Sequence, residues 1–92
     1  MTKVNDNLFV ERLKSVLVDR LKIVGIRAKV NSTPVPTTKM HRIKILAPSF
    51  KPLKFYERQE LVWRIAERVL YPDEQLKIAS ISTMTPIEAK EI

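Results

Sequence analysis

Cysteine is absent from the 92-residue chain, glycine and histidine occur once each, and acidic residues nearly vanish from its front half. Without cysteine there is no disulfide framework, no thiolate metal ligand and no cysteine nucleophile. One histidine, with no convincing carboxylate pair, leaves no nucleophile–base–orienter set to name, so no catalytic residues are assigned. No apolar run approaches the roughly 20 residues that span a bilayer. The opening "MTKVNDNLFV" lacks the basic and apolar regions of a secretory leader. These absences together predict a non-enzymatic cytosolic protein, without cofactor or membrane partner. At this length a single domain over 1–92 is expected, with 1–6 and 90–92 frayed.

What is present is positive charge, unevenly placed. The formal net charge is +7, and between Arg12 and Lys54 eleven Lys and Arg face the single acid Asp19. From Phe55 onward the balance is five basic to seven acidic. Such asymmetry points to an anionic partner, with general solubility as the competing explanation.

Apolar spacing sets the element order. Phe9, Leu13, Val16, Leu17, Leu21 and Val24 recur at steps of three and four, one stripe of an amphipathic helix over 7–23. Asp6 or Asn7 can cap its start, and Gly25 supplies the left-handed stop. "IRAKVN" (26–31) and "KMHRIKILA" (39–47) alternate with period two and read as paired antiparallel strands around the loop "STPVPTT". With their apolar sides in a core, Arg27, Lys29, Arg42 and Lys44 share the open face as a contact for nucleic acid or an acidic partner. "APSFKP" is turn chemistry. A second helix follows over 55–70, with Leu61, Val62, Ile65, Ala66 and Val69 as its core face and Pro72 as its stop. Tyr56, Trp63 and Leu70, at seven-residue steps beside that face, are a stacking platform, cover for the core edge, or, flanked by arginines, a docking patch. After the acidic link "PDEQ" comes a third strand, "LKIASIST" (76–83). "TPIE" then starts a helix, with Thr85 as N-cap, Pro86 at the first position and Glu88 completing a capping box. The order α-β-β-α-β-α predicts an α+β fold, a small three-stranded mixed sheet with helices on one face.

Three segments in this order resemble the BolA family, whose fold is a variant of the type II KH arrangement. In "SFKPLKFYERQELVW" (49–63), Phe50, Glu57, Arg58, Val62 and Trp63 are similar to the family's Phe-x-Gly-x-x-x-x-Glu-Arg-His-Arg-x-Val-Tyr pattern. "MHRIKILAPSF" looks like its histidine-bearing second strand, with His41 in place, and "IASISTMTPIEAKE" resembles its ending. The resemblance covers roughly residues 8–90 and implies packing roles for Phe50, Phe55, Leu61 and Val62. It also implies a regulatory or adaptor protein, docking a glutaredoxin-like partner. Tyr56, Arg58, Trp63, Arg64 and Lys77 are the candidate docking residues.

Departures from the family pattern bear on chemistry. Pro52 stands at the family's glycine and Gln59 at its second histidine. Lys77 occupies the place of a histidine that can ligate a [2Fe-2S] cluster shared with a monothiol glutaredoxin. The loop that would carry the other ligand has neither Cys nor His. A lysine ammonium is a poor ligand at neutral pH, so no cluster and no metal are expected. His41, in register with Ile43 and Ile45, reads as a structural histidine. The one glycine excludes the Gly-x-x-Gly loop that KH domains use on RNA. A nucleic-acid-binding or transcriptional regulator would therefore rely on the basic sheet face. A monomer or weak dimer is expected.

Overall fold

In the computed structural model, which describes residues 8–90, the first apolar stripe forms helix α1 (Leu8–Ile23). Phe9, Val10, Leu13, Leu17 and Leu21 are buried along one side. The cap assigned to Asp6 or Asn7 and the fraying expected of 1–6 lie outside the described residues. Gly25 ends the helix with φ of +84°. Its N–H donates to Lys22 O at 3.0 Å, and Ile26 N–H donates to Leu21 O at 2.8 Å. This paired closure satisfies two orphan carbonyls and requires the left-handed residue. Val24 therefore lies past the last turn and is exposed rather than part of the stripe.

The first strand, β1 (Lys29–Pro34), starts three residues later than its alternation suggests and runs into the expected loop. The helix exit occupies Val24 to Ile26, and the hairpin turn sets the far end. Val35 O accepts from Thr38 N–H at 3.2 Å around Pro36 and a positive-φ Thr37, the signature of a type II turn. Strand β2 (His41–Leu46) pairs antiparallel with β1, from Lys29 opposite Leu46 to Pro34 opposite His41. Pro34 is tolerated because β1 is an edge strand. Val35 N–H reaches inward to Met40 O at 3.0 Å, so alternation turns the donorless Pro34 nitrogen outward.

A 3₁₀ turn (Pro48–Phe50) follows, then helix α2 (Phe55–Val69). Phe50 is fully buried, as the resemblance implies. Arg58, Val62, Ala66 and Leu70, at steps of four, are the buried line of this segment. Leu61, Ile65 and Val69 are only half-buried beside it. Phe55 is no packing residue: at the first position of α2 it is 67% exposed. "PDEQ" forms a helical turn, α3 (Pro72–Gln75), with the Glu74 carboxylate accepting from Tyr71 N–H at 2.9 Å.

Strand β3 (Ile78–Met84) lies parallel to β2, giving the mixed sheet order β1-β2-β3. His41 is opposite Ile78 but Arg42 is opposite Ser80, so Ala79 is one residue too many. That extra residue lets Ile78 and Ile81, three apart, both face the helices, which strict period two forbids. Helix α4 (Pro86–Lys90) closes the α+β order read from the sequence.

Because a Cβ on Gly25 would meet nothing within 4 Å, backbone strain alone sets the cost of replacing it. Gly25→Ala is expected to lower stability by about 1–2 kcal/mol, and Gly25→Asn by less. In urea unfolding this appears as a lower midpoint with an unchanged slope.

Candidate nucleic-acid interface

The face of the sheet turned away from the helices is a small grid fixed by strand register. Lys29, Leu46 and Met84 form one row; Asn31, Lys44 and Ser82 the next; Thr33, Arg42 and Ser80 the third. Rows repeat about every 6.7 Å along the strands, and strands lie about 4.8 Å apart. Three cations, three hydroxyls and one amide thus share a surface of roughly 13 by 10 Å. None of the nine positions is acidic or aromatic. Lys29, Arg42 and Lys44 are exposed and make no ion pair among the described residues.

Arg27, the fourth residue expected on this face, precedes β1. It lines a shallow cleft with Val18, Lys22 and Ala28 beside the end of α1. The helix exit keeps it out of the sheet. Asn31, Thr33, Ser80 and Ser82 went unassigned in the sequence, because only the register across three strands brings them beside the cations.

The five candidate docking residues do not assemble into one surface. Arg58 is buried: its Nε donates to Leu53 O at 3.1 Å and its Nη1 to Thr83 O at 3.2 Å. The guanidinium also grips Glu88 in two-pronged fashion, at 2.7 and 3.2 Å, and lies 5.7 Å from the Phe50 ring centroid. Gln59 beside it donates to Ile81 O at 2.9 Å and to Thr83 Oγ1 at 3.1 Å. Trp63 is half-buried against the core and Tyr56 is exposed. With Leu70 buried, their stripe runs from core to solvent and offers no flat stacking platform. Arg64 pairs with Glu60 at 3.0 Å on the outer surface of α2. Lys77 lies just before the start of β3, while Arg58 binds near its end.

At that first end, Lys77 Nζ sits 5.7 Å over the Phe9 ring, and Phe9 meets the buried His41 edge-on at 5.7 Å. Lys77 O accepts from His41 N–H at 2.8 Å. Nearby, Arg12 pairs with Glu74 at 2.5 Å. The Tyr71 N–H, reinforced by Arg12, holds the Glu74 carboxyl below its usual range. The residues here do not fit the iron–sulfur cluster that the resemblance brings to mind. One imidazole engaged by a ring, an ammonium and no thiolate make a poor donor set. Among the described residues no group of three His, Asp or Glu side chains could hold a metal, and no helix is long and apolar enough to cross a membrane.

The capping box read from "TPIE" is complete. Thr85 N–H donates to Glu88 Oε1 at 2.9 Å, and Glu88 N–H to Thr85 Oγ1 at 3.1 Å. Hydrogen bonds from Arg58 first, then from Thr85 N–H, pull the Glu88 carboxyl down to about 2, from an ordinary 4.5. With the folded value below the unfolded one, the ionised carboxylate stabilises the fold. That contribution is whole above about pH 5 and fades as pH falls through 4.5 toward 2. Glu88→Gln should thus be less stable than the parent at neutral pH, with the gap between their melting curves closing near pH 2. Arg58→Lys keeps the charge but loses the fork, and should cost about 2–3 kcal/mol by urea unfolding at pH 7.

No family model, no curated protein and no solved structure matches the chain.

Proposed function

We propose that the chain is a non-enzymatic, BolA-like regulatory protein that holds the phosphate backbone of single-stranded nucleic acid on its open sheet face. The observation that carries this reading is the acid-free grid of Lys29, Lys44 and Arg42 among Asn31, Thr33, Ser80 and Ser82. Along β2 the two cations stand about 6.7 Å apart, close to the stride of an extended phosphodiester chain. Hydroxyls and an amide beside them suit phosphate and sugar oxygens, the contacts that position a nucleic acid without reading it. Stacking of bases requires aromatic faces, and the grid has none. Binding is therefore expected to be indifferent to base sequence and strongly dependent on salt.

What supports the family assignment is local. Phe50 and Val62 are buried, His41 at the start of β2 packs against Phe9, and Thr85, Pro86 and Glu88, in the segment that resembles the family's ending, form a helix cap. Cluster sharing with a glutaredoxin-like protein is not part of the proposal, because the donor set is wrong for it.

Fluorescence anisotropy with labelled oligo(dT) tests this function. Three neutralised phosphates at a slope of about −0.7 each predict roughly twentyfold weaker binding between about 50 and 200 mM salt. Lys29→Glu, Arg42→Glu and Lys44→Glu combined should abolish binding, while Arg27→Glu should leave most of it. Oligo(dA) and oligo(dC) should bind within about threefold of oligo(dT). Salt-independent binding, or an unaffected triple variant, would remove the proposal.

A further inference from the structure

The outer surface of the helix layer carries a second basic site, built differently from the sheet face. Between α1 and α2 lies a cleft of about 220 Å³ whose apolar wall is Leu61, Ile65 and Val69. Three arginines line it as well: Arg20 from α1, and Arg64 and Arg68 one turn apart on α2. No strand residue lines it, so it belongs to the helix side. Arg64 shares its charge with Glu60, whereas Arg20 and Arg68 make no ion pair among the described residues. Leu61, Ile65 and Val69, three of the five residues whose spacing suggested the core face of α2, are only half-buried: Leu61 and Ile65 pack against the core edge, and the exposed parts of all three line this cleft.

We propose that this cleft docks an acidic peptide segment of a partner protein through one apolar anchor side chain flanked by carboxylates. Size and chemistry select that occupant. The volume falls short of the roughly 300 Å³ at which small-molecule pockets begin, yet it suits a side-chain anchor. The apolar wall offers nothing to a phosphate, and no aromatic lines the cleft for a base to stack on. Guanidinium forks match carboxylates in two-pronged geometry, which lysines do not. An apolar anchor ringed by charges that exclude water is also the usual anatomy of an interface hot spot. The contact is small, so its affinity is weak, on the order of 10–100 µM. The site stands independently of the nucleic-acid reading, since it shares no residue with the sheet face.

The test titrates ¹⁵N-labelled full-length chain with a synthetic Glu-rich 12-residue peptide carrying one central leucine. Saturable shifts at Leu61, Ile65 and Val69 are expected. Binding should weaken at least tenfold when the peptide's leucine is replaced by alanine or its glutamates by lysines. The variant Arg20→Glu/Arg68→Glu should lose binding, and the milder Arg20→Gln/Arg68→Gln should weaken it if the first disturbs folding. Lys44→Glu should leave peptide binding intact even where it weakens oligo(dT). Equal affinity for the alanine peptide would reduce the site to bare charge and overturn the proposal. Shifts confined elsewhere, none at millimolar peptide, or oligo(dT) shifting the cleft residues would overturn it too.

Discussion

The buried guanidinium of Arg58 is the point from which the rest of the structure is held. Its hydrogen bonds tie the approach to α2 through Leu53 O, the outer edge of β3 through Thr83 O, and α4 through Glu88. It also covers the Phe50 ring. A cation at the fourth residue of α2 sits near the positive end of that helix's dipole and cannot be left unpaired there. Glu88 supplies the counter-charge, and its own place is fixed by the Thr85 cap. The turn, the helix, the strand edge and the last helical turn are therefore coupled through one side chain. Removing it would leave two carbonyls without this donor, the Glu88 carboxylate without its counter-charge and the Phe50 ring without cover at once.

That arrangement also decides which surfaces remain for partners. In a three-stranded open sheet both edges invite pairing with another chain. Gln59 and Arg58 occupy the outward carbonyls of Ile81 and Thr83 along β3. Pro34 withholds a donor at the far end of β1, whose pairing with β2 leaves only its other side free. With the β3 edge engaged by α2 side chains, one proline on the β1 edge and one face packed under helices, the open face is the broadest part of the sheet left accessible. Its lack of acid then matters, because apart from Leu46 and Met84 at one end every position there is a cation or a neutral polar group. The α1–α2 cleft, on the opposite layer, sets an apolar wall of Leu61, Ile65 and Val69 inside a concavity, where the sheet face has only Leu46 and Met84 at one end of an open grid. Two cationic surfaces thus differ in what they can hold.

Much of this was legible in local patterns. The Gly25 stop, the α1 stripe, the alternation of β2 and the Thr85–Glu88 box each depend on residues within one or two turns of one another. The element order followed from them. Properties set by distant partners were not legible. β1 starts late because the Ile26–Leu21 closure and the Pro36–Thr37 turn, not the Ile26–Ala28 alternation, fix its limits. The Ala79 insertion is visible only against β2. Sequence alone assigns Arg58 to a docking surface, since two of its acceptors, Thr83 O and Glu88, lie 25 and 30 residues away and only Leu53 O is near in the chain. Arg20 joins Arg64 and Arg68 only when α1 packs on α2. For the candidate interface, three of its cations could be picked from period two alone, while the polar residues between them needed the register.

Lys77 shows where resemblance and chemistry part. The resemblance puts a ligand histidine at this position, where the chain has a lysine. Its surroundings give that lysine a packing role. The ammonium lies over Phe9, whose edge contacts His41, and the Lys77 carbonyl receives the first N–H of β2. Backbone and side chain thereby close the same end of the core, the backbone joining β3 to β2 and the side chain covering α1. Cation–ring contacts of this kind contribute about 0.5–1 kcal/mol where solvent still reaches them, enough to favour one lysine rotamer over free motion. A histidine there would be shorter and would leave part of the Phe9 ring bare. A lysine at position 77 is thus accounted for by packing at the α1–β2 joint, and it belongs neither to the open sheet face nor to the α1–α2 cleft.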